Sequence, residues 1–136
     1  MEVYLKSDIG LVRTSNQDAC KCGSFSDQAV WAVVCDGMGG ANGGNVASEV
    51  AVETVAQLLM QEYDKALTND QTVDLLTGVV QRANSKLYEM QKADQMLRGM
   101  GTTIELVLVK ENKVHIVHVG DSRVYAIRKN KIQQLT

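Results

Sequence analysis

The hydrophobic pattern divides the chain into a polar beginning, a helical middle and an extended end. Residues 29–35 form a continuous apolar run, which is typical of a buried strand, and residues 3–6 have the pattern of a shorter strand. Residues 11–28 lie between these runs, are rich in Ser, Asn, Asp and Gly, and have no sustained period. This composition predicts a loop or an irregular strand.

Two stretches in the middle repeat apolar residues every three or four positions, which predicts two amphipathic helices. The first covers residues 45–63. The second begins after Thr68, because Thr68 and Gln71 have the spacing of a capping box, and it should end near Gly99. The apolar positions of the two helices are Ala47, Val50, Ala51, Val55, Leu58 and Leu59, then Val73, Leu76, Val80, Ala83, Leu87 and Met90.

Beyond residue 101 the period becomes that of strands. Residues 102–109, 114–119, 123–128 and 132–135 are apolar or β-branched runs separated by short polar turns, which predicts an antiparallel meander. Strands, then helices, then strands again indicate an α+β fold in which antiparallel helices pack on antiparallel sheet. A length of 136 residues suits one domain over the whole chain.

The composition of the chain does not indicate a function, but it argues against several classes of partner and site. The 14 basic and 16 acidic residues give a net charge of −2, which indicates neither nucleic acid nor a membrane surface as a partner. No apolar run has the length of a bilayer span and the start lacks signal-peptide order, so we expect a cytoplasmic protein. Cys20, Cys22 and Cys35 lack the spacing of a zinc site, which favours reduced, structural cysteines. His115 and His118 should point to opposite faces of their strand.

The clearest candidate site is Asp36, which ends the apolar run 29–35 and opens a glycine-rich segment. A carboxylate at the end of a buried strand is costly unless a positive group binds there. A nucleotide site is disfavoured, because Asn42 replaces the third glycine of the dinucleotide motif and no Gly-Lys-[Ser/Thr] follows.

A divalent cation fits Asp36 better. Its carboxylate and the unobstructed carbonyl of Gly37 are oxygen ligands, and Mg²⁺ or Mn²⁺ needs few protein ligands. Arg13 lies in a polar segment upstream, and its guanidinium matches phosphate oxygens. Metal and arginine together suggest phosphomonoester hydrolysis. The plain alternatives are a solvated loop arginine and a helix-capping aspartate.

Five segments in order make the sequence more specific: residues 7–18, 34–40, 44–48, 100–103 and 118–125. Together they resemble the bacterial form of the metal-dependent protein phosphatases of type 2C, over nearly the whole chain. The resemblance implies part of an αββα sandwich and hydrolysis of phosphoserine and phosphothreonine in proteins by a metal-bound water. It also implies two Mn²⁺ or Mg²⁺ ions, a third in many members, and an opposing serine/threonine kinase.

The resemblance also implies a role for each site residue. Arg13 would bind the substrate phosphate, and Asp36 would bridge the two ions, with the Gly37 carbonyl and Gln17 around one of them. Asp18 would hold metal-bound water by hydrogen bonds.

The two later motifs are closer to architecture. Asp121 would lie near the third ion, although Gly-Asp-Ser-Arg is equally suited to a structural turn. Residues 100–103 are interpreted as a corner that needs small residues.

The chain departs from the family in two ways. Gln17 stands where many members have Glu, which would weaken the hold on one ion. Members also continue for about as many residues again and carry two further acidic motifs, so the chain is interpreted as an N-terminal fragment with part of the active site. Such a fragment should be a poor catalyst and should self-associate through open apolar surface. The alternative is a non-catalytic binding or regulatory module of the same fold.

Overall fold

The structure is a computed structural model that describes the backbone of residues 1–136 and the side chains of residues 1–39 and 43–136. A short 3-10 turn at Gln95–Leu97 lies between the second of the two helices and the strands that follow it. The elements are, in order, β1 (Asp18–Ser24), β2 (Val30–Met38), α1 (Gly40–Glu62), α2 (Asn69–Ala93), β3 (Gly101–Thr102), β4 (Ile104–Lys110), β5 (Lys113–Val119), β6 (Tyr125–Arg128) and β7 (Lys131–Gln134).

The main sheet is antiparallel, with strands in the order β1-β2-β4-β5 and β3 paired with the end of β2. The predicted α+β class is therefore confirmed. The predicted meander is only partly right, because β6 and β7 form a separate hairpin in the described structure. The chain leaves β5 at Gly120, whose φ of 105° turns the backbone away from the next ladder position.

Both helices cover one face of this sheet. Helix α1 packs on β1 and β2, and α2 packs on α1 and β5. Neither helix, in the part of the chain that the structure describes, has the length and apolar character of a membrane span. The core between helices and sheet consists largely of fully buried side chains, among them Val33, Cys35, Ala47, Val55, Leu59, Leu76, Val79, Leu106 and Leu108.

The helices depart from prediction at their ends. Helix α1 begins at Gly40 instead of residue 45, and Gly44 in its second turn lies directly against the backbone of Gly37 in β2. Helix α2 ends at Ala93 instead of near Gly99. Asp94 is extended there, and its side chain accepts a hydrogen bond from the Met96 amide at 2.8 Å, which caps the 3-10 turn.

The N-terminal end of α2 follows the prediction closely. Thr68 and Gln71 form the capping box, with hydrogen bonds of 2.9 and 3.3 Å between each side chain and the other residue's amide. The apolar stripe is displaced by one position at this end: Val73 is exposed and Thr72 is buried. Thr72 can be buried because its hydroxyl donates to the Thr68 carbonyl at 2.8 Å.

The predicted strand at residues 3–6 is wrong, and two other strands are more regular or longer than predicted. Residues 3–6 form no strand; Tyr4 to Asp8 instead border a cavity beside β1. Residues 18–24 form a regular strand, since they pair with β2 along their whole length. Strand β2 runs to Met38 instead of residue 35, because β1 pairs with it as far as Asp36 and β3 pairs with its last two residues, Gly37 and Met38.

Two tight turns agree with the prediction. Glu111 and Asn112 both have positive φ, and so do Lys129 and Asn130. Positive φ at both central residues is the geometry of a two-residue hairpin turn that matches strand twist. These turns join β4 to β5 and β6 to β7.

Candidate metal and phosphate site

Asp18, the first residue of β1, lies directly opposite Asp36, two residues before the end of β2. Side chains alternate along a strand, so both carboxylates belong to the sheet face away from the helices, whereas Cys35 belongs to the helix-covered face. Like charges in opposite register are destabilising unless a cation is present. The pair therefore forms a local concentration of negative charge at one end of the sheet.

The electrostatics of Asp36 reflect this placement. Partial burial raises the pKa of its carboxyl group, and the Asp18 carboxylate raises this pKa further through charge and a hydrogen bond. The Arg13 guanidinium acts in the opposite direction and lowers the pKa of Asp36, while Asp121 adds a weaker negative influence. A bound cation would relieve the same repulsion.

Arg13 and Asp36 share an open cleft of about 620 Å³. Its walls therefore combine the predicted phosphate ligand with the predicted metal ligand. The lining residues are Val12, Arg13, Thr14, Ser15, Gln17, Asp36, Gly37 and Met38.

Gly37 is required by packing between backbones. A Cβ atom there would overlap the carbonyl oxygen of Gly44 on α1 and lie 2.5 Å from that of Gln17. The Gly37 amide donates to the Gln17 carbonyl at 3.1 Å, and the buried Ser48 hydroxyl donates to the same carbonyl at 2.7 Å. Ser48, which lies in the family segment 44–48 but received no role in the sequence analysis, thus ties helix α1 to the residue next to Asp18.

Asp121 lies in the turn after β5 and does not line the cleft. Its neighbour Ser122 forms a hydroxyl–hydroxyl hydrogen bond of 2.7 Å with Thr103. Thr103 in turn contacts the backbone of Asp36, so the residues interpreted as a structural corner reach the site directly. Sequence reasoning placed Thr103 and Ser122 in motifs interpreted as a corner and a turn but assigned them no role at Asp36, because only the strand register reveals these contacts.

Several other predicted features lie away from the cleft. Cys20, Cys22 and Cys35 are free thiols, and burial raises the pKa of Cys35 to about 12. His115 is buried on the helix-covered face and His118 is exposed, as their spacing predicted. Gly40 and Asn42, part of the predicted glycine-rich segment, lie outside the residues whose side chains are described.

The oxygen atoms around Asp36 are of the type that binds a hard divalent cation, but few side chains contribute them. Two facing carboxylates with carbonyl oxygens nearby are the ligands that Mg²⁺ and Mn²⁺ accept while keeping water molecules. Among the described residues, however, no three His, Cys, Asp or Glu side chains come close enough together to hold an ion. The chain thus offers part of a metal site.

The chain is similar to known proteins over nearly its whole length. The profile described as protein phosphatase 2C matches residues 12–136. Over its full length the chain is 32% identical to serine/threonine phosphatase stp of Listeria welshimeri and covers 54% of that protein.

Two solved structures show the same similarity. The serine/threonine phosphatase Stp1 of Staphylococcus aureus matches with a TM-score of 0.84 and 33% identity, over 95% of this chain and 50% of that chain. The catalytic domain of the serine threonine protein phosphatase PstP, solved in complex with 2 manganese ions, matches with a TM-score of 0.81 and 33% identity, over 96% and 53%. The chain spans about half the length of these relatives. Since the family profile covers nearly all of its residues, this chain belongs to the protein phosphatase 2C family.

Proposed function

We propose that the protein carrying this chain is a metal-dependent serine/threonine protein phosphatase that hydrolyses phosphoserine and phosphothreonine in proteins. The observation that carries the proposal is the pair Asp18 and Asp36, facing each other beside the Arg13 cleft in a chain of the protein phosphatase 2C family. Carboxylates bind hard cations and a guanidinium binds phosphate oxygens, so the cleft combines the two groups that phosphomonoester hydrolysis requires.

Each predicted site residue has its own task in this proposal, and Asp18 acts from beside the cleft, opposite Asp36. Arg13 binds and orients the phosphoryl oxygens through its guanidinium. Asp36 would bridge two divalent ions, with the Gly37 carbonyl and Gln17 near one of them. Asp18 orients water by hydrogen bonds.

We propose Mn²⁺ or Mg²⁺ as the ions, and Asp121 as a neighbour of a third. When bound, such ions lower the pKa of water and screen the charge of the phosphoryl group. Asp121 lies outside the cleft but within electrostatic reach of Asp36, which supports a weaker, peripheral role.

The test is Asp36→Asn, with Asp74→Asn as the control on the exposed surface of α2. In the intact natural protein that carries this sequence, Asp36→Asn should reduce manganese-dependent dephosphorylation of a phosphothreonine peptide more than about 100-fold, since even outer partners of a metal ligand cost 10–100-fold. The fold should be retained, because Asp36 lies on the open face. Asp74→Asn should change neither activity nor Mn²⁺ binding.

Full activity in Asp36→Asn would remove the metal-bridging role. The 136-residue chain measured alone should be a weak catalyst or inactive, because the described residues complete no metal site. Turnover by the chain alone at the rate of the intact protein would contradict this expectation.

The alternative is a binding or regulatory module without catalysis, and the small number of acidic ligands favours it for the chain alone. The two functions differ in a simple experiment. A module would bind a phosphopeptide in the presence of Mn²⁺ and release it unchanged, whereas the enzyme would release inorganic phosphate.

The remaining expectations concern setting and partners. We propose that residues 1–136 are the N-terminal part of one catalytic domain in a cytoplasmic protein, which acts against a serine/threonine kinase on phosphoproteins. The isolated chain should pair with a second copy, because Val34 and Val114 stay 44% and 53% exposed on the sheet face that the helices leave uncovered. A monomer in sedimentation would contradict that pairing.

A further inference from the structure

We propose that Thr103 is a positioning residue of this site: its hydroxyl replaces a backbone acceptor for Asp36 and, through Ser122, joins Asp36 to the turn that carries Asp121. The inference rests on the proposed function and adds to it. It concerns how the carboxylates are held in place, and therefore how tightly the site binds a divalent ion.

The first support is an interruption in the sheet ladder. Strand β2 pairs with β4 up to Val34 and Glu105, and with β3 from Gly37 and Thr102 onward, in one unbroken register. That register puts Asp36 opposite Thr103. In a regular antiparallel pair of this kind, each residue would donate its amide to the other's carbonyl.

Only one of these two backbone bonds is present. The Thr103 amide donates to the Asp36 carbonyl at 2.9 Å, but the Asp36 amide donates to the Thr103 hydroxyl at 3.0 Å. The Thr103 carbonyl instead lies 3.0 Å from the Thr102 hydroxyl. A side chain has thus taken the place of a ladder carbonyl at the metal-ligand candidate, so a point mutation can remove this hold on the Asp36 backbone.

The second support is the contact between Thr103 and the Asp121 turn. The hydroxyls of Thr103 and Ser122 are 2.7 Å apart. Gly120 fits closely over the same side chain, since a Cβ at Gly120 would lie 2.7 Å from the Thr103 methyl group. Thr103 is only 2% exposed. Its hydroxyl and its methyl group therefore seat the Asp121 turn while the hydroxyl also holds Asp36.

The test separates the hydroxyl from the shape of the side chain. Thr103→Val keeps the shape and removes the hydroxyl, whereas Thr103→Ser keeps the hydroxyl. Thr54→Val is the matched control: Thr54 is also buried, and its hydroxyl donates to the Val50 carbonyl on α1, away from the cleft. Mn²⁺ binding to the intact protein is measured by the electron paramagnetic resonance of free Mn²⁺, beside dephosphorylation of a phosphothreonine peptide.

We expect Thr103→Val to weaken Mn²⁺ binding by about 10–100-fold, as loss of an outer partner does at metal sites. Thr103→Ser should stay within about threefold of wild type, because it restores the acceptor for the Asp36 amide. Thr54→Val should leave Mn²⁺ binding unchanged. Amide hydrogen exchange gives a second readout, in which Thr103→Val alone should accelerate exchange at Asp36.

Wild-type Mn²⁺ binding in Thr103→Val would overturn the inference, and so would an equal loss in Thr103→Ser. If Thr103→Val does not fold, Ser122→Ala takes its place, since it removes only the link to the Asp121 turn. It should weaken Mn²⁺ binding less than tenfold but measurably, and an unchanged value would overturn the link. A wild-type protein that neither binds Mn²⁺ nor releases phosphate would instead overturn the proposed function.

Discussion

On β2, Val33 is fully buried against the helices, whereas Val34, the next residue along the chain, is 44% exposed on the other face of the sheet. The same contrast continues to the end of the strand, where buried Cys35 precedes exposed Asp36. One strand therefore serves two purposes, because its side chains alternate between faces. The helix-covered face contributes apolar burial, and the open face carries the carboxylates of the site.

This division teaches why a charged pair is tolerated at the end of a stable strand. Asp18 and Asp36 repel each other, but their backbones lie in a ladder whose other side is packed on α1. The apolar burial on the helix-covered face can offset the repulsion between the two carboxylates on the open face only while the backbones that carry both faces are held rigidly together. The contacts that join them are the backbone approach at Gly37 and the hydrogen bonds of Ser48 and Thr103.

The largest effect should come from breaking that join with Gly37→Ala. The added methyl group would overlap main-chain atoms on both sides, and the backbones of Gly44 and Gln17 cannot rotate away as side chains do. We expect a loss of about 3 kcal/mol or more in the free energy of unfolding, at or above the usual cost of overpacking. Urea denaturation measures it.

Gly78→Ala is the matched control for that substitution. Gly78 lies inside α2, and a Cβ there would have no atom within 4 Å apart from the neighbouring backbone of its own helix. The change should raise the free energy of unfolding by about 0.5–1 kcal/mol, because Ala loses less backbone entropy in a helix. If both alanines had equal effects, close packing at Gly37 would not be what joins the two faces.

The same substitution, valine to alanine, at two adjacent positions should have a smaller effect on stability and should compare the two faces directly. Val33→Ala removes methyl groups from the core and should cost about 2–3 kcal/mol, from lost burial and a cavity. Val34→Ala on the open face should cost less than about 1 kcal/mol. Denaturant midpoints with equal slopes give both values, and equal losses would mean that the open face is as well packed as the other.

Much of this architecture could be predicted because it depends on local pattern. The capping box of Thr68 and Gln71, the apolar stripes of the helices and the turns at Glu111 and Lys129 are short-range features. The start of α1 could not be predicted, because it depends on the close approach of Gly44 to Gly37. That approach is a tertiary contact, which the local sequence pattern does not show.

The site divides in the same way. Asp36 and Arg13 stood out by residue type and position, and the family resemblance added Asp18, Gln17 and Asp121. Thr103 was interpreted only as part of a structural corner, since its role at the site follows from its register with Asp36. Long-range pairing was therefore the missing information.

The smallest predicted effect concerns a buried polar residue on the helix-covered face, His115. His115 is 8% exposed and its Nε2 atom has no hydrogen-bond partner among the described residues. Burial lowers the pKa of this imidazole, and the nearby charges of Lys113 and Lys110 lower it further. The folded state therefore favours neutral His115. Between the lowered pKa of the folded state and the ordinary histidine pKa of about 6.5, the unfolded chain binds more protons than the folded chain.

Stability contributed by neutral His115 is thus fully present above about pH 6.5 and is lost as the pH falls from there toward the lowered pKa of the folded state. His115→Gln cannot take up that proton, so its free energy of unfolding should fall less between pH 7 and pH 5 than that of the wild type. His118, which lies 3.6 Å from Glu105 on the open face, is present in both proteins, so its contribution cancels in this comparison. Equal pH dependence in wild type and His115→Gln would show that the helix-covered face accepts a charge at this position, and the contrast between the two faces would then rest on packing alone.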